Sequence, residues 1–355
     1  MASEDIGQIY KTQIPGYEDA ADIQAALKLY HYATTTVPTT EGEILPNSIA
    51  GHLKALDTRL DDVEAYVSSI RPLLEDIQIE AHPPLVSFLA SIPQGPSPAK
   101  AAIDMALHDM LGKRLGVPVY VMYGLDPAAM PVSSYALPIP ESRSELESML
   151  SDVADFPFLK LKLGCGDETW DEDIVQITRS LYSGSLCVDV NAGWNIPTTI
   201  TMMERLATAN LSFVEQPIQG KELDEWHLLR RLLPDSRIPL IADESIQGPE
   251  DVFALAGAAD GINIKLAKCG GIRAARELIT LARSLDMSVM IGCMIESAIA
   301  MTAAAHLGPL ADFLDLDGPM HLANDPFDGL QFDKGVITLP DRPGLGVQPA
   351  GTGSR

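Results

Sequence analysis

Apolar and polar residues alternate from Leu159 to Leu163, within the sequence Phe-Pro-Phe-Leu-Lys-Leu-Lys-Leu-Gly at residues 156–164. A period of two is typical of a β-strand, and residues two apart project from the same face, so Lys160 and Lys162 are predicted to lie side by side. Like charges held this close repel each other. A solvated edge strand explains such a pair as well as a functional strand does, so the stretch alone leaves both interpretations open.

Six further short apolar runs follow, each ending in a charged residue or a cysteine. The ends of successive runs lie 22 to 28 residues apart, which is about the length of one strand, one helix and two short loops. The chain is therefore predicted to repeat a βα unit. The runs span residues 185–189, 211–215, 238–243, 261–265, 288–293 and 313–315.

The segments between these runs carry apolar residues at helical spacing, and an earlier unit with a strand near 132–137 and a helix near 142–154 precedes them. Eight strands joined in this way predict an α/β fold, a (β/α)7β TIM-like barrel over residues 126–325. Reactive side chains of such barrels lie at the C-terminal ends of the strands. The helical segments are 196–210, 222–233, 249–257, 272–285 and 297–307. The residues predicted to meet at this end are Lys162, Asp189, Glu215, Asp243, Lys265 and Asp315.

Residues 1–125 lack the βα period and are predicted to form a separate α+β capping domain. Residues 25–35 fit a strand or a helix. In the last of three later helices, Ser97 and Pro98 form a favourable N-cap and first-turn pair, and Gly116 marks the end. Residues 326–355, with a strand predicted at 336–339, are expected to return to this domain. The three helices are placed at 52–70, 84–91 and 98–115.

Composition narrows the class of protein. The chain has 355 residues, 46% of them apolar, which supports a sizeable core in two domains. A formal charge of −24 argues against nucleic acids and acidic membranes as partners, because the contacts would be repulsive. An acidic N-terminal segment, and the lack of a run of eighteen apolar residues, indicate a cytoplasmic protein. The four cysteines form no CxxC pair and are predicted to be reduced, and the seven histidines show no metal-ligand spacing.

Three consecutive runs end in the carboxylates Asp189, Glu215 and Asp243. One acidic residue at a strand end carries no information, but three in one mouth repel each other and cost stability unless something compensates them. Carboxylate oxygens are the ligands that Mg²⁺ prefers. The pattern therefore predicts a magnesium site with positions left for a substrate.

Lys162 and Lys265 fall on the second and sixth strands, which face each other across an eight-stranded barrel. A lysine beside a divalent cation has its ammonium form disfavoured, so its pKa falls and it can act as a base. Two opposed bases indicate that a proton is removed on one face of the substrate and returned on the other. The metal would stabilise the enolate formed when a proton leaves the carbon next to a carboxylate.

As a set these motifs resemble the muconate-lactonizing subgroup of the enolase superfamily, from about Pro98 to Gly346. The pair Asp315-Leu-Asp317 narrows the resemblance to the dipeptide epimerases, typified by L-Ala-D/L-Glu epimerase. The other motifs are Lys160-Leu-Lys162, Asp189-Val-Asn191, Glu215-Gln-Pro217, Asp243-Glu-Ser245, Asn263-Ile-Lys265-Leu-Ala-Lys-Cys-Gly-Gly271 and Gly292-Cys-Met-Ile-Glu-Ser297.

The resemblance implies Mg²⁺-dependent epimerisation of a dipeptide, a small-molecule substrate, at the α-carbon of its C-terminal residue. It implies that Lys162 and Lys265 are the bases and that Asp189, Glu215 and Asp243 bind the metal. Lys160 would help to hold the substrate carboxylate, and Asp315 and Asp317 would receive the α-ammonium. Main-chain groups of Cys293 and Ile295 would also contact substrate. The oligomeric state is left open, with a homo-oligomer as one possibility.

Two departures from the Ala-Glu enzymes bear on specificity. Those enzymes carry a threonine after an aromatic residue on the first strand, where this chain has Ser133-Ser-Tyr135-Ala136. They also carry an arginine in a capping loop that grips the glutamate side chain, whereas no arginine precedes Arg59 here. Lys11 could replace it or could be a surface lysine without a role. We therefore expect a preference for dipeptides whose second residue is apolar or small.

Several alternatives share part of this pattern. Muconate cycloisomerases, o-succinylbenzoate synthases and N-acylamino acid racemases use the same metal and lysines, but their substrates offer no free ammonium to Asp315 and Asp317. An aspartate pair that caps a turn is the structural alternative. A catalytically inactive barrel acting as a binding module would not need so many clustered charges. A Schiff-base aldolase using Lys265 would not need three carboxylates. Cys269-Gly-Gly271 could open a phosphate loop, but a tight turn is the simpler interpretation.

Overall fold

The computed structural model describes residues 60–75, 81–220, 223–233, 238–294, 296–321, 325 and 327–350. Lys11, the candidate strand at 25–35 and Ile295 lie outside this part of the chain. Within it, no helix is both long enough and apolar enough to cross a membrane.

Eight parallel strands form one sheet in the order in which they occur in the chain. Ser133, just before the first strand, forms a parallel bridge with Leu314 in the eighth, and the Ser134 amide donates to the Leu314 carbonyl over 2.8 Å. The sheet therefore curves into a nearly closed barrel. The strands are β1 (Tyr135–Leu137), β2 (Phe158–Lys162), β3 (Ser185–Asp189), β4 (Val214–Glu215), β5 (Leu240–Ala242), β6 (Gly261–Ile264), β7 (Ser288–Gly292) and β8 (Phe313–Asp315).

Helices connect these strands, and the (β/α)7β barrel predicted from the sequence is confirmed. Short polar side chains begin several of them: Ser142, Asp167 and Asn195 each accept hydrogen bonds from the first-turn amides of the helix that follows. The barrel helices are α5 (Arg143–Asp152), α6 (Glu168–Leu181), α7 (Ile196–Arg205), α8 (Asp224–Leu232), α9 (Pro249–Leu255), α10 (Leu266–Cys269), α11 (Ile272–Ser284) and α12 (Ala298–Ala305). Short 3-10 turns cover Pro127–Ala129, Gly308–Leu310 and Gly318–His321.

Before the barrel, the described residues from 60 onwards form four helices: α1 (Leu60–Glu75), α2 (His82–Ser91), α3 (Ser97–Leu115) and α4 (Val119–Met122). Gly116 ends α3 with a φ of 71°, as predicted. The predicted N-cap Ser97 is wrong, because Pro96 holds the cap position and Ser97 is already helical. The predicted end of α1 at residue 70 is also wrong. The helix continues through Pro72 because Leu74 is buried in the same core as Ile70, and this packing outweighs the one hydrogen bond that proline removes.

The segment after the barrel returns to α3 and α4. The Leu345 amide donates to Asp109 in α3 over 2.7 Å, and Pro118 pairs with Gly344 in a parallel bridge. Two small antiparallel pairs complete the segment, and one of them contains the predicted strand near 336–339. The strands are β9 (Phe327–Asp328), β10 (Gln331–Asp333), β11 (Val336–Thr338) and β12 (Gln348–Pro349). The domain boundaries at 125 and 325 stay a prediction.

The turn at Cys269-Gly-Gly271 joins α10 to α11, and Gly270 and Gly271 both have positive φ values, 97° and 111°. The first amides of α11 are already bonded. Asp104 in α3 accepts from the amides of Ile272 and Arg273 over 2.7 and 3.2 Å. A carboxylate of the chain thus takes the position that a phosphate would need, which contradicts the phosphate-loop alternative. The tight turn is confirmed.

Candidate active site

The barrel interior has an apolar layer below a charged layer. Period two along each strand places the next inward side chain two residues further on, so the inward apolar residues are followed by polar ones at the mouth, which is the C-terminal end of the strands, except that Gly292 follows Met290. Two of these polar side chains, Asp189 and Glu215, are paired in the β3–β4 register. The apolar layer consists of Phe158, Cys187, Phe213, Ile241 and Met290, with Phe313 against it.

Lys160 is the central cation of the charged layer and is only 2% exposed. Its ammonium donates to Glu215 Oε2 over 3.1 Å and to Asp315 Oδ2, and lies 3.6 Å from Asp189 Oδ2. Burial alone would lower the pKa of Lys160, but these three carboxylates raise it well above its usual value. The ammonium form of Lys160 is therefore favoured. Its burial, and the position of β2 between β1 and β3, exclude a solvated edge strand.

Lys162, the next inward residue on β2, stands higher and is about one third exposed. Its ammonium donates to Asp189 Oδ2 over 2.6 Å and to Asn191 Oδ1 over 3.0 Å. Burial would raise the pKa of Asp189, but Lys162 and Lys160 outweigh it and hold that pKa below its usual value. Lys162 thus lies at the open end of the mouth, with acceptors from β3 and its loop.

Lys265 follows β6, on the opposite side of the barrel from β2 in the strand order. Its ammonium donates to Asp243 Oδ2 over 2.7 Å. Burial would lower the pKa of Lys265, but Asp243 and Glu215 raise it above its usual range. In this arrangement Lys265 is an ammonium, so the lowered pKa expected for a base requires that these carboxylates be neutralised by another cation.

Lys268 belongs to the motif that begins at Asn263, and its place in the site was not predicted from the sequence. Its ammonium binds Asp243 twice, at the carbonyl oxygen and at Oδ1. Burial would raise the pKa of Asp243, yet Lys265 and Lys268 together hold it far below its usual value. One turn of α10 separates Lys268 from Lys265. Residues three apart on a helix lie on the same face, so this spacing in the sequence could have indicated that Lys268 reaches the site.

Asn263 is a second residue whose place in the site was not predicted from the sequence. It precedes Lys265 by two residues on β6 and so faces inward, where its amide donates to Glu215 Oε1 over 2.6 Å. Burial and the neighbouring Asp189 raise the pKa of Glu215 to about 7, although Lys160 opposes them. Asn263 and Lys160 thus hold the two oxygens of one carboxylate in a fixed orientation.

The three carboxylates Asp189, Glu215 and Asp243 lie at, or directly after, the ends of adjacent strands at the mouth, as predicted. Within the described ranges, no three acidic, His or Cys side chains converge closely enough to hold a metal ion. Lysine ammonium groups lie against the carboxylate oxygens instead. The donor set is nonetheless a hard-oxygen set of the kind that suits Mg²⁺, and the residues present fit such an ion in chemistry.

Asp315 and Asp317 lie at and just beyond the end of β8, and both are about 5% exposed. Asp315 accepts from Ser134 Oγ over 2.5 Å at one oxygen and from Lys160 at the other. Asp317 Oδ2 accepts from the Ala136 amide over 2.8 Å. Both aspartates are therefore tied to β1 or the residues before it. Cys293, just past β7, is half-buried beside the same mouth, and burial raises the pKa of its thiol well above the usual value.

Residues 142–352 match the family model "Enolase C-terminal domain-like", and residues 85–124 match "Mandelate racemase / muconate lactonizing enzyme, N-terminal domain". The chain is 35% identical to an L-Ala-D/L-Glu epimerase of Bacteroides thetaiotaomicron, over 90% of this chain and 85% of that protein. It is 36% identical to a hydrophobic dipeptide epimerase of Roseobacter litoralis, over 70% of this chain and 72% of that one.

A solved dipeptide epimerase from Methylococcus capsulatus, complexed with Mg and the dipeptide L-Arg-D-Lys, is similar in structure. It superposes with a TM-score of 0.70 and 30% sequence identity, over 83% of this chain and 85% of that one. Both domains of the family are therefore matched in order, and the barrel carries the expected charged residues at its strand ends. The chain belongs to the enolase superfamily and is an isomerase related to its dipeptide epimerases.

Proposed function

We propose that the enzyme epimerises a dipeptide at the α-carbon of its C-terminal residue, with Mg²⁺ as the cofactor and with Lys162 and Lys265 as the two bases. The observation that supports this most is the placement of the two lysines. They stand on opposite strands of one mouth, and each is anchored on a different carboxylate, Asp189 or Asp243. A planar intermediate between them could lose a proton on one face and gain one on the other.

Asp189, Glu215 and Asp243 would hold the Mg²⁺ ion. When bound, the ion would supply positive charge for the oxygens of the substrate carboxylate as the α-proton leaves. The same charge would compete with the lysines for the carboxylates. Lys265 would then lose the partners that keep its pKa high, and its neutral form would become accessible.

Each direction of the reaction needs one neutral and one protonated lysine. The neutral lysine removes the proton from its own face, and the ammonium of the other returns a proton to the opposite face. The roles exchange when the other epimer is the substrate. This symmetry requires that both ammonium groups be able to reach the same carbon, and it explains why the site holds two lysines with separate anchors.

The rest of the substrate would be held by the remaining charges. Lys160 would add positive charge beneath the substrate carboxylate, and main-chain groups of Cys293 and Ile295 would bound the site. The α-ammonium would lie at Asp315 and Asp317. Lys160 and Ser134 already donate hydrogen bonds to Asp315, and they set the orientation of this carboxylate. Its remaining lone pairs would accept hydrogen bonds from the substrate ammonium.

We expect a library of L,L and L,D dipeptides in heavy water to take up deuterium at the second residue, and only with Mg²⁺ present. Dipeptides with an apolar or small second residue should react fastest, in line with the similarity to a hydrophobic dipeptide epimerase. Mass spectrometry of the library reports the reaction and the specificity together, and excess EDTA is the control. Undiminished exchange in EDTA would refute the metal assignment, and a strict preference for glutamate would refute the specificity.

N-acetylation of a good dipeptide substrate should lower kcat/KM by about tenfold to a few hundredfold. The acetyl group removes the positive charge that Asp315 and Asp317 would bind, and it leaves two nearly buried carboxylates without that partner. The comparison is made with steady-state kinetics on the free and acetylated dipeptide. The matched control is the dipeptide with a C-terminal amide. It keeps the α-ammonium but should not be turned over, because it lacks the carboxylate next to the reacting carbon. Equal turnover of free and acetylated substrate would point to an N-acylamino acid racemase instead.

A further inference from the structure

Asp171, in the first turn of α6, is a buried carboxylate outside the charged layer of the mouth, and it is only 1% exposed. It accepts from the Gly164 amide at both oxygens, over 3.1 and 3.0 Å. Its Oδ2 also accepts from the Trp194 indole over 2.8 Å, and the Cys165 thiol lies 3.3 Å from Oδ1. Ionised carboxylates bond strongly to neutral donors in the interior, so this is a tight link between three segments.

Two of these segments are the loops that follow β2 and β3. They touch at glycine: a Cβ on Gly164 would lie 2.5 Å from the Val190 carbonyl oxygen, and a Cβ on Gly193 would lie 2.7 Å from the Gly164 Cα. Gly164 also has a φ of 85°, which disfavours any other residue. The loops therefore pack backbone against backbone, and Asp171 bonds to one loop through Gly164 and to the other through Trp194.

This contact lies directly beyond the strand ends that carry the functional side chains. Lys162 is two residues before Gly164, and both of its hydrogen-bond acceptors, Asp189 and Asn191, belong to β3 or its loop. The Leu163 amide donates to the Asp189 carbonyl over 2.9 Å, so the strand pairing runs up to the loops. The position of the Lys162 ammonium thus depends on how the ends of β2 and β3 are held relative to each other.

We propose that Asp171 is a positioning residue for Lys162, which fixes this ammonium relative to the α-carbon by joining the loops after β2 and β3. The inference rests on the proposed function. Asp171 does not touch the reacting atoms, and its effect passes through Gly164 and Trp194. Lys265 is held on the other side of the barrel by Asp243, and in the described part of the chain its ammonium makes no hydrogen bond to the loops after β2 and β3. One hydrogen bond, from Asn191 to Glu244, joins the loop after β3 to the loop after β5, but it does not include Lys265. We therefore expect Asp171 to act mainly on the face of the substrate that Lys162 serves.

The test measures α-proton exchange in heavy water separately for the two epimers of a dipeptide that the wild-type enzyme converts. Lys162→Ala identifies the epimer whose proton Lys162 removes. In Asp171→Asn, with Mg²⁺ present, exchange of that epimer should fall by about tenfold to a hundredfold, because misplacement by about 1 Å has an effect of this size. Exchange of the other epimer should stay within about twofold of wild type. Trp194→Phe removes one hydrogen bond and should give the same asymmetry with a smaller loss, about threefold to tenfold.

Glu168→Gln is the matched control, since Glu168 also lies in the first turn of α6 but accepts its hydrogen bond at the surface, from Thr198 Oγ1 in α7 over 2.7 Å. Both exchange rates should be unchanged in this variant. Equal losses of exchange for the two epimers in Asp171→Asn, or no loss, would overturn the proposal. If Asp171→Asn does not fold, the same comparison of the two epimers in Trp194→Phe tests the proposal. Wild-type enzyme that exchanges neither epimer would instead refute the proposed function.

Discussion

Lys162→Ala and Lys265→Ala should each abolish epimerisation. The expected fall in kcat/KM is about a hundredfold to ten-thousandfold. Net inversion needs a proton acceptor on one face and a proton donor on the other, and each variant removes one of them. Exchange should survive on one face only. Lys162→Ala should still exchange the α-proton of one epimer with solvent, and Lys265→Ala should still exchange that of the other.

Proton NMR of each pure epimer in heavy water measures this directly, because the α-proton signal disappears as exchange proceeds. Chiral chromatography of the same samples reports net inversion. Lys334→Ala provides the control, because Lys334 pairs with Asp155 at the surface. A two-base mechanism is ruled out if either variant still inverts at the wild-type rate, or if both variants exchange the same epimer.

Lys160→Met should destabilise the fold more than any surface change. The variant keeps a similar side-chain volume but leaves Glu215, Asp315 and Asp189 without the buried cation between them. Breaking a buried ion pair from one side costs about 3 to 5 kcal/mol. The free energy of unfolding, measured with urea in the absence of divalent cations, should fall by this amount. Added Mg²⁺ should restore part of it, because the ion would supply positive charge to two of the same carboxylates.

The loss should also depend on pH. The folded-state pKa of Glu215 is already raised, from 4.5 to about 7, so its ionisation costs stability as the pH rises through this interval. Without Lys160 the ionisation of Glu215 costs more stability, because this lysine lowers the pKa of Glu215. The destabilisation should be larger at about pH 8 than at about pH 5, where the buried carboxyl is protonated. Lys334→Met, which removes the cation of an exposed pair, should change stability little at either pH. A pH-independent loss for Lys160→Met would contradict this account.

The barrel could be predicted from the sequence because one local pattern repeats. Each unit ends its apolar run in a polar residue, and parallel strands bring these ends to the same edge regardless of what lies between them. Asp189, Glu215 and Asp315 thus end their strands as predicted, and Asp243 and Lys265 follow theirs directly. The family was identified from the same residues, since the order of their chemistry along the chain is specific.

The partners of these residues could not be predicted in the same way, because periodicity gives the face of a strand but not the depth of a side chain. Lys160 and Lys162 share a face, yet one is enclosed and the other open. Lys268 reaches the site from a short helix that has no periodicity to read. Asp171 lies in the outer layer and bonds to the Gly164 amide and the Trp194 indole, and no spacing between residues 164, 171 and 194 indicates that contact.

The barrel closes between β1 and β8, its first and last strands in the sequence, and this sets the order in which its contacts can form during synthesis. Asp315, which neutralises Lys160 from the last strand, comes 155 residues after it, and Ser134 is 181 residues away from the same carboxylate. At translation rates of 5 to 20 residues per second, roughly 8 to 30 s pass between the emergence of Lys160 and that of Asp315. Until then, the interior of the growing sheet carries a lysine whose counter-charge is incomplete. The nascent chain therefore gains its charged layer, and with it a closed barrel, only when β8 has left the ribosome.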